Sequence, residues 1–186
     1  MKTAVSALCL LAALASPAAA HAARGLPMPP PVPPTGAPGT VEGACSADEH
    51  GPALVVDITG FKDRRGLIKL EVYPPVDGEF LGTDTKLVAE GKTFRRVEER
   101  VPASGPVALC VKVPATGTYS VVVLHDRNSD HKFQWTSDGV GFPGNPHIGW
   151  GAPKAAAARI SVGPHVTRTT VVLNYFRGFG MGPIGN

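Results

Sequence analysis

Long apolar runs are scarce in this chain. Beyond its first 20 residues, no segment approaches the roughly 20 consecutive apolar residues that a helical membrane span needs. An excess of one charge is also missing: 18 Lys and Arg stand against 15 Asp and Glu. The charges are interspersed, without the basic stripe of a nucleic-acid surface, so no nucleic-acid partner is expected. The exception, Lys92 to Arg100 (KTFRRVEER), alternates in sign and reads as a solvated strand edge. No amphipathic helical pattern of useful length occurs, which argues against a helical bundle. There is no Gly-x-Ser-x-Gly elbow, and Ser104, Ser120, Ser129, Ser137 and Ser161 lack any such context, so nucleophilic catalysis has no support.

What is present begins with a leader. Lys2, the apolar run Ala4 to Ala15 and the small residues up to Ala20 match an export signal peptide, residues 1–20. Cleavage after Ala20 or after Ala22 fits, and the chain is expected to be exported, periplasmic or extracellular. Removing Lys2 lowers the net charge of +3 by one. Residues 21–44 form a Pro/Gly-rich tether, centred on Leu26 to Pro34, whose polyproline composition cannot build a core. Cys9 leaves with the leader, and Cys45 and Cys110 remain. In an exported chain two thiols are expected to form a disulfide, a Cys-based metal site being the unsupported alternative.

From Ala53 the hydrophobic period becomes two. Leu54, Val56 and Ile58 alternate with polar or outward positions, as do Ile68, Leu70 and Val72, and then Val107, Leu109, Val111 and Val113. Phe94 to Val101, Tyr119 to His125, Ala157 to Val162 and Thr169 to Phe176 complete a set of about seven strands. A short helical turn is expected near Thr85 to Ala89. The pattern predicts one all-β domain over residues 45–177, an antiparallel sandwich, with a closed barrel as the alternative. Each alternating set is expected to be buried on one side and exposed on the other. Residues 178–186 read as a flexible Gly-rich tail.

The candidate site is the loop that follows the strongest strand. Asp126, Asn128 and Asp130 have the one-three-five oxygen spacing of calcium loops. In an EF-type loop the sixth, ninth and twelfth positions would follow, and here they hold His131, Gln134 and Ser137. The competing reading is a turn in which these side chains cap their own backbone, with calcium bound weakly at most. His125, His131 and His147 lack a spacing that would put two metal ligands on one face. His21, as a new N-terminus, would permit a copper brace, but the tether separates it from the first strand. Trp135 and Trp150 bracket the loop and could form a sugar-stacking platform or pack the loop down.

The segment Gly117-Thr-Tyr-Ser-Val-Val-Val-Leu-His-Asp-x-Asn128, together with Gly139-Val-Gly-Phe142, Asn145-Pro146 and Leu173-Asn-Tyr-Phe-Arg-Gly178, resembles the domain-of-unknown-function family DUF2141. The family's loop typically reads His-Asp-x-Asn-x-Asn-Gly-Lys-Leu-Asp. His125, Asp126, Asn128 and Lys132 match it, while His131 stands for the glycine and Gln134 for the last aspartate. The resemblance implies an exported bacterial protein with no established activity. The Gly-Thr-Tyr-x-Val entry also resembles immunoglobulin-like and prealbumin-like sandwiches. These readings together predict a non-catalytic binding or structural module without a required cofactor. Its loop at 126–150 would be organised by His125, Asp126, Asn128, Asp130, Trp135, Asn145 and Trp150, and its partner would be a cell-envelope component or carbohydrate. A calcium-binding protein or metal-dependent enzyme is the alternative.

Overall fold

The computed structural model describes residues 43–46 and 48–185. The expected leader, His21 and most of the tether lie outside those residues. Within them the chain forms ten strands in two sheets, an all-β fold, with little helix. The smaller sheet runs β4 (Val107–Lys112), β1 (Ala53–Thr59), β8 (Val166–Val172). The larger sheet is ordered β10 (Met181–Pro183), β9 (Asn174–Phe176), β6 (Gly139–Gly141), β5 (Gly117–Asp126), β2 (Leu67–Tyr73), β3 (Arg95–Arg100). A short strand, β7 (Arg159–Val162), pairs with the first half of β5.

The two sheets share one core. Leu54, Val56 and Ile58 of β1 and Leu109 and Val111 of β4 belong to the same buried cluster as Ile68, Leu70 and Val72 of β2 and Val121 and Val123 of β5. Branched and aliphatic side chains at every second position suit the pleated faces of both sheets. The segment before β1 stitches the sheets along one edge. The Gly43 N–H donates to Arg96 O of the larger sheet, Ala44 bridges to Val111 of the smaller one, and Cys45 is disulfide-bonded to Cys110 with the two Cα atoms 5.5 Å apart.

Four expectations need correction. First, β1 and β4 alternate as expected, but β2 and β5 are buried on both faces. A second apolar layer covers the outer face of the larger sheet. There Tyr73 of β2 and Val122 of β5 cluster with Phe80, Leu87, Phe94, Phe142 and Ile148, brought in by the 139–158 segment and by the 76–94 segment with its helix α1 (Asp84–Ala89). Second, β1 and β8 pair in parallel while the other pairs are antiparallel. Third, the stretch read as one strand from Thr169 to Phe176 divides at Leu173 between the two sheets, and the stretch from Ala157 begins as a 3-10 turn at Ala155–Ala158. Fourth, the glycine-rich tail carries β10, which pairs with β9.

Candidate functional site

The site starts from a row of three residues. His125, Gly139 and Tyr175 are register partners on the adjacent strands β5, β6 and β9. A Cβ at Gly139 would lie 2.5 Å from the Tyr175 ring, so glycine in the middle lets the phenol lie across the row. The Tyr175 O–H reaches His125 Nδ1 at 2.7 Å, and His125 Nε2 lies 2.7 Å from Arg65 O. A carbonyl only accepts, so Nε2 carries the imidazole proton and Nδ1 accepts from Tyr175. The Lys62 N–H in turn donates to Tyr175 Oη at 3.1 Å. Burial pushes the His125 imidazole below its ordinary pKa, and burial pushes Tyr175 up to about 12. His125 is therefore a neutral, fully buried pin that fastens the β1–β2 connection, not a free ligand.

The next residue faces the other way. Asp126 is buried, and its carboxylate accepts the N–H groups of Ser129 (2.8 Å), Asp130 (3.3 Å) and His131 (2.7 Å). Asp138, also buried, accepts from the N–H groups of Arg127 (3.2 Å) and Gln134 (2.8 Å). Two inward carboxylates thus satisfy five backbone donors of a loop that has no ladder of its own. Arg127 clamps the loop from outside, pairing with Asp63 and donating to Ser137 O at 2.8 Å. The guanidinium of Arg127 holds the Asp63 carboxyl well below the usual range. Asn128 and Asp130 are paired with one another at the loop tip, and Asp130 also takes the Lys132 N–H and the Gln134 side chain. His131, where the family pattern has glycine, has a φ of 62° in the left-handed region. Its N–H to Asp126 and its Nδ1 contact with Glu98 at 2.9 Å hold it there.

This braced loop forms one wall of a groove over the outer face of the larger sheet. The groove has two adjoining cavities that share Glu71, Tyr73, Leu124 and Phe133. The smaller, about 180 Å³, is polar and includes Lys69, Arg96 and Lys132. The larger, about 400 Å³, is walled by Trp135, Phe142, Ile148 and Trp150. The floor where the two cavities meet is a closed polar network, with Glu71 and Tyr73 lining both cavities and Lys69 and Arg96 lining the smaller one. Glu71 accepts from the Tyr73 O–H at 2.7 Å and from Arg96 Nε at 2.6 Å, while Arg96 also pairs with Asp84 at 3.1 Å. Burial and the neighbouring Glu71 carboxylate push Tyr73 far above the phenol range. Lys69, buried, pairs with Glu98 at 3.2 Å and donates to His131 O at 3.3 Å.

Of the residues singled out in the sequence, Trp135 and Trp150 meet in this groove, and Asp126 and Asp130 brace its wall. His125 borders the polar cavity, with its ring bonded to Tyr175 and the Arg65 carbonyl. Asn145 sits apart, at a φ of 47°, where its side chain accepts the Val172 N–H at 2.9 Å. Among the described residues no group of three His, Cys, Asp or Glu is arranged to hold a metal ion. Lys69, Glu71, Tyr73, Arg96 and Phe133 were missed. On β2 the first three occupy the alternate positions read as solvent-facing, and no local signal distinguishes a covered outer face from a bare one.

The chain belongs to the family described as "Uncharacterized protein conserved in bacteria (DUF2141)", whose model matches residues 56–170. That span runs from within β1 into β8 and includes the braced loop and both groove tryptophans. No curated protein and no solved structure matches the chain. Among the described residues no helix is long and apolar enough to cross a membrane.

Proposed function

We propose that the protein is an exported, non-catalytic binding module whose ligand occupies the groove walled by Trp135 and Trp150. The observation that carries this reading is the groove's division. An aromatic cavity of about 400 Å³ opens onto a polar one, a layout suited to a small amphipathic molecule with an apolar or ring-shaped body. The floor argues against catalysis. Both Glu71 oxygens are engaged and Tyr73 is held protonated, so neither is poised for proton transfer. The loop is organised by its own carboxylates, with calcium unnecessary, because N–H groups already occupy the sites a cation would share. Export is supported by the leader-like residues 1–20 and by the Cys45–Cys110 disulfide, which belongs to an oxidising compartment. Cell-envelope glycans and lipids are the partner classes this location offers.

The test is titration with anilinonaphthalene sulfonate, an aromatic probe of fitting size. Saturable binding at one equivalent, lost in Leu124→Trp (which fills the junction of the cavities) and weakened in Trp150→Ala, is the expected result. Binding unaffected by either change would sink the reading.

A further inference from the structure

Trp150 is 73% exposed and Phe179 is 92% exposed, yet they line a common shallow cavity of about 290 Å³ with Ile148 and Met181. Trp150 is also a wall of the groove, where Phe133 and Leu81, both exposed, share the lining. The two most exposed rings are each flanked by glycines, Gly149-Trp150-Gly151 and Gly178-Phe179-Gly180, so no neighbouring side chain shields them. An apolar patch of linked rings projecting into water marks a contact surface.

Its charge indicates the partner. No residue from 139 to 186 is Asp or Glu. Arg177 and His147 line the same cavity as Phe179, Lys154 follows the groove residue Pro153, and Lys132 precedes Phe133. Among the described residues Lys132, Lys154 and Arg177 form no ion pair with a carboxylate. Three of the four acids on the neighbouring 76–92 segment are ion-paired, Glu79 with Lys92, Asp84 with Arg96 and Glu90 with Lys86, while Asp77 accepts the Ala155 N–H and keeps its charge. Asp130 beside Lys132 accepts that residue's own N–H.

Protruding Trp and Phe with a surplus of basic side chains are what an interfacial lipid contact requires. The rings suit the headgroup boundary and the cations suit anionic headgroups. We propose that the Trp150–Phe179 lip docks on the surface of an anionic phospholipid bilayer. This contact uses the exposed tips of the lip and is independent of what fills the groove.

The experiment is co-sedimentation with vesicles of phosphatidylcholine alone or mixed with phosphatidylglycerol, at low and high salt. The chain used begins at His21, so that the apolar run Ala4 to Ala15 cannot itself insert. The expected result is partitioning onto the anionic vesicles that salt weakens. Lys154→Gln and Arg177→Gln each reduce it about fivefold, and Trp150→Ser with Phe179→Ser abolishes it while the melting temperature is retained. In a Trp135→Phe background, Trp150 emission shifts to the blue on anionic vesicles. Leu124→Trp, which tests the groove, leaves vesicle binding unchanged, so the two readings fail separately. No partitioning, equal partitioning onto both vesicle types, or a dimer in solution that Trp150→Ser dissolves would each overturn the proposal.

Discussion

The Tyr175 phenol donates to the His125 imidazole across 2.7 Å, and the other imidazole nitrogen holds the Arg65 carbonyl. This pair joins β9, β5 and the β1–β2 connection. Its energetics depend on the imidazole staying neutral, because a proton on Nδ1 would face the Tyr175 hydroxyl without an acceptor lone pair aimed at it.

Acid should therefore weaken the fold through His125. Burial lowers its folded pKa below the ordinary 6.5, so the unfolded chain binds the proton first. The contribution is fully present above about pH 6.5 and is lost as pH falls from there toward the lowered folded value, by at most about 1.4 kcal/mol per pH unit. Urea unfolding at a series of pH values should show this slope in the wild type and a shallower one in His125→Gln. Identical slopes would mean that His125 is not buried neutral.

Asp126→Ala should cost about 2–4 kcal/mol, since three N–H groups lose a charged acceptor and only that of Asp130 has a second one, Asn128 Oδ1. The same loss is expected with excess calcium and with excess chelator. A rise in the wild-type melting temperature with calcium that disappears in Asp126→Ala would favour the cation reading instead.

Ser129 carries a φ of 61° and is exposed, so Ser129→Gly should stabilise the protein by about 0.5–1 kcal/mol. Denaturant midpoints measure this directly, and a destabilised variant would show that the left-handed turn at Ser129 carries no strain.

Reduction should be costly because the Cys45–Cys110 bond closes a separation of 65 residues. The chain-entropy model assigns such a loop on the order of 4 kcal/mol. A double Cys→Ala variant that melts with the wild type would remove the disulfide from the list of stabilising features.

Local patterns were the legible part of the sequence. Leu54-x-Val56-x-Ile58 belongs to a sheet with one covered face, so its alternation maps onto burial. Asp126, Asn128 and Asp130 make bonds within five residues of themselves, which is the range over which turn chemistry shows in sequence. Lys69, Glu71 and Tyr73 were opaque because what covers them arrives from residues 76–94 and 127–153, and strand period says nothing about a third layer. The His125–Tyr175 contact spans 50 residues and rests on Gly139 leaving space, a relation that only the register reveals. The parallel β1–β8 pairing is equally non-local. The absence of acids after Asp138 is masked in the sequence by an interspersed total, and only the structure sets Arg177 beside Trp150 and Phe179.

Trp135 and Trp150, on either side of β6, wall one groove, and that groove is the proposed ligand site. Because the chain has two tryptophans, it has two indole N–H resonances. The most direct test follows both in heteronuclear NMR spectra during titration with anilinonaphthalene sulfonate. Both should move together with one saturation curve, and Leu124→Trp should abolish the shifts. Saturable probe binding that leaves both indole resonances in place would contradict it.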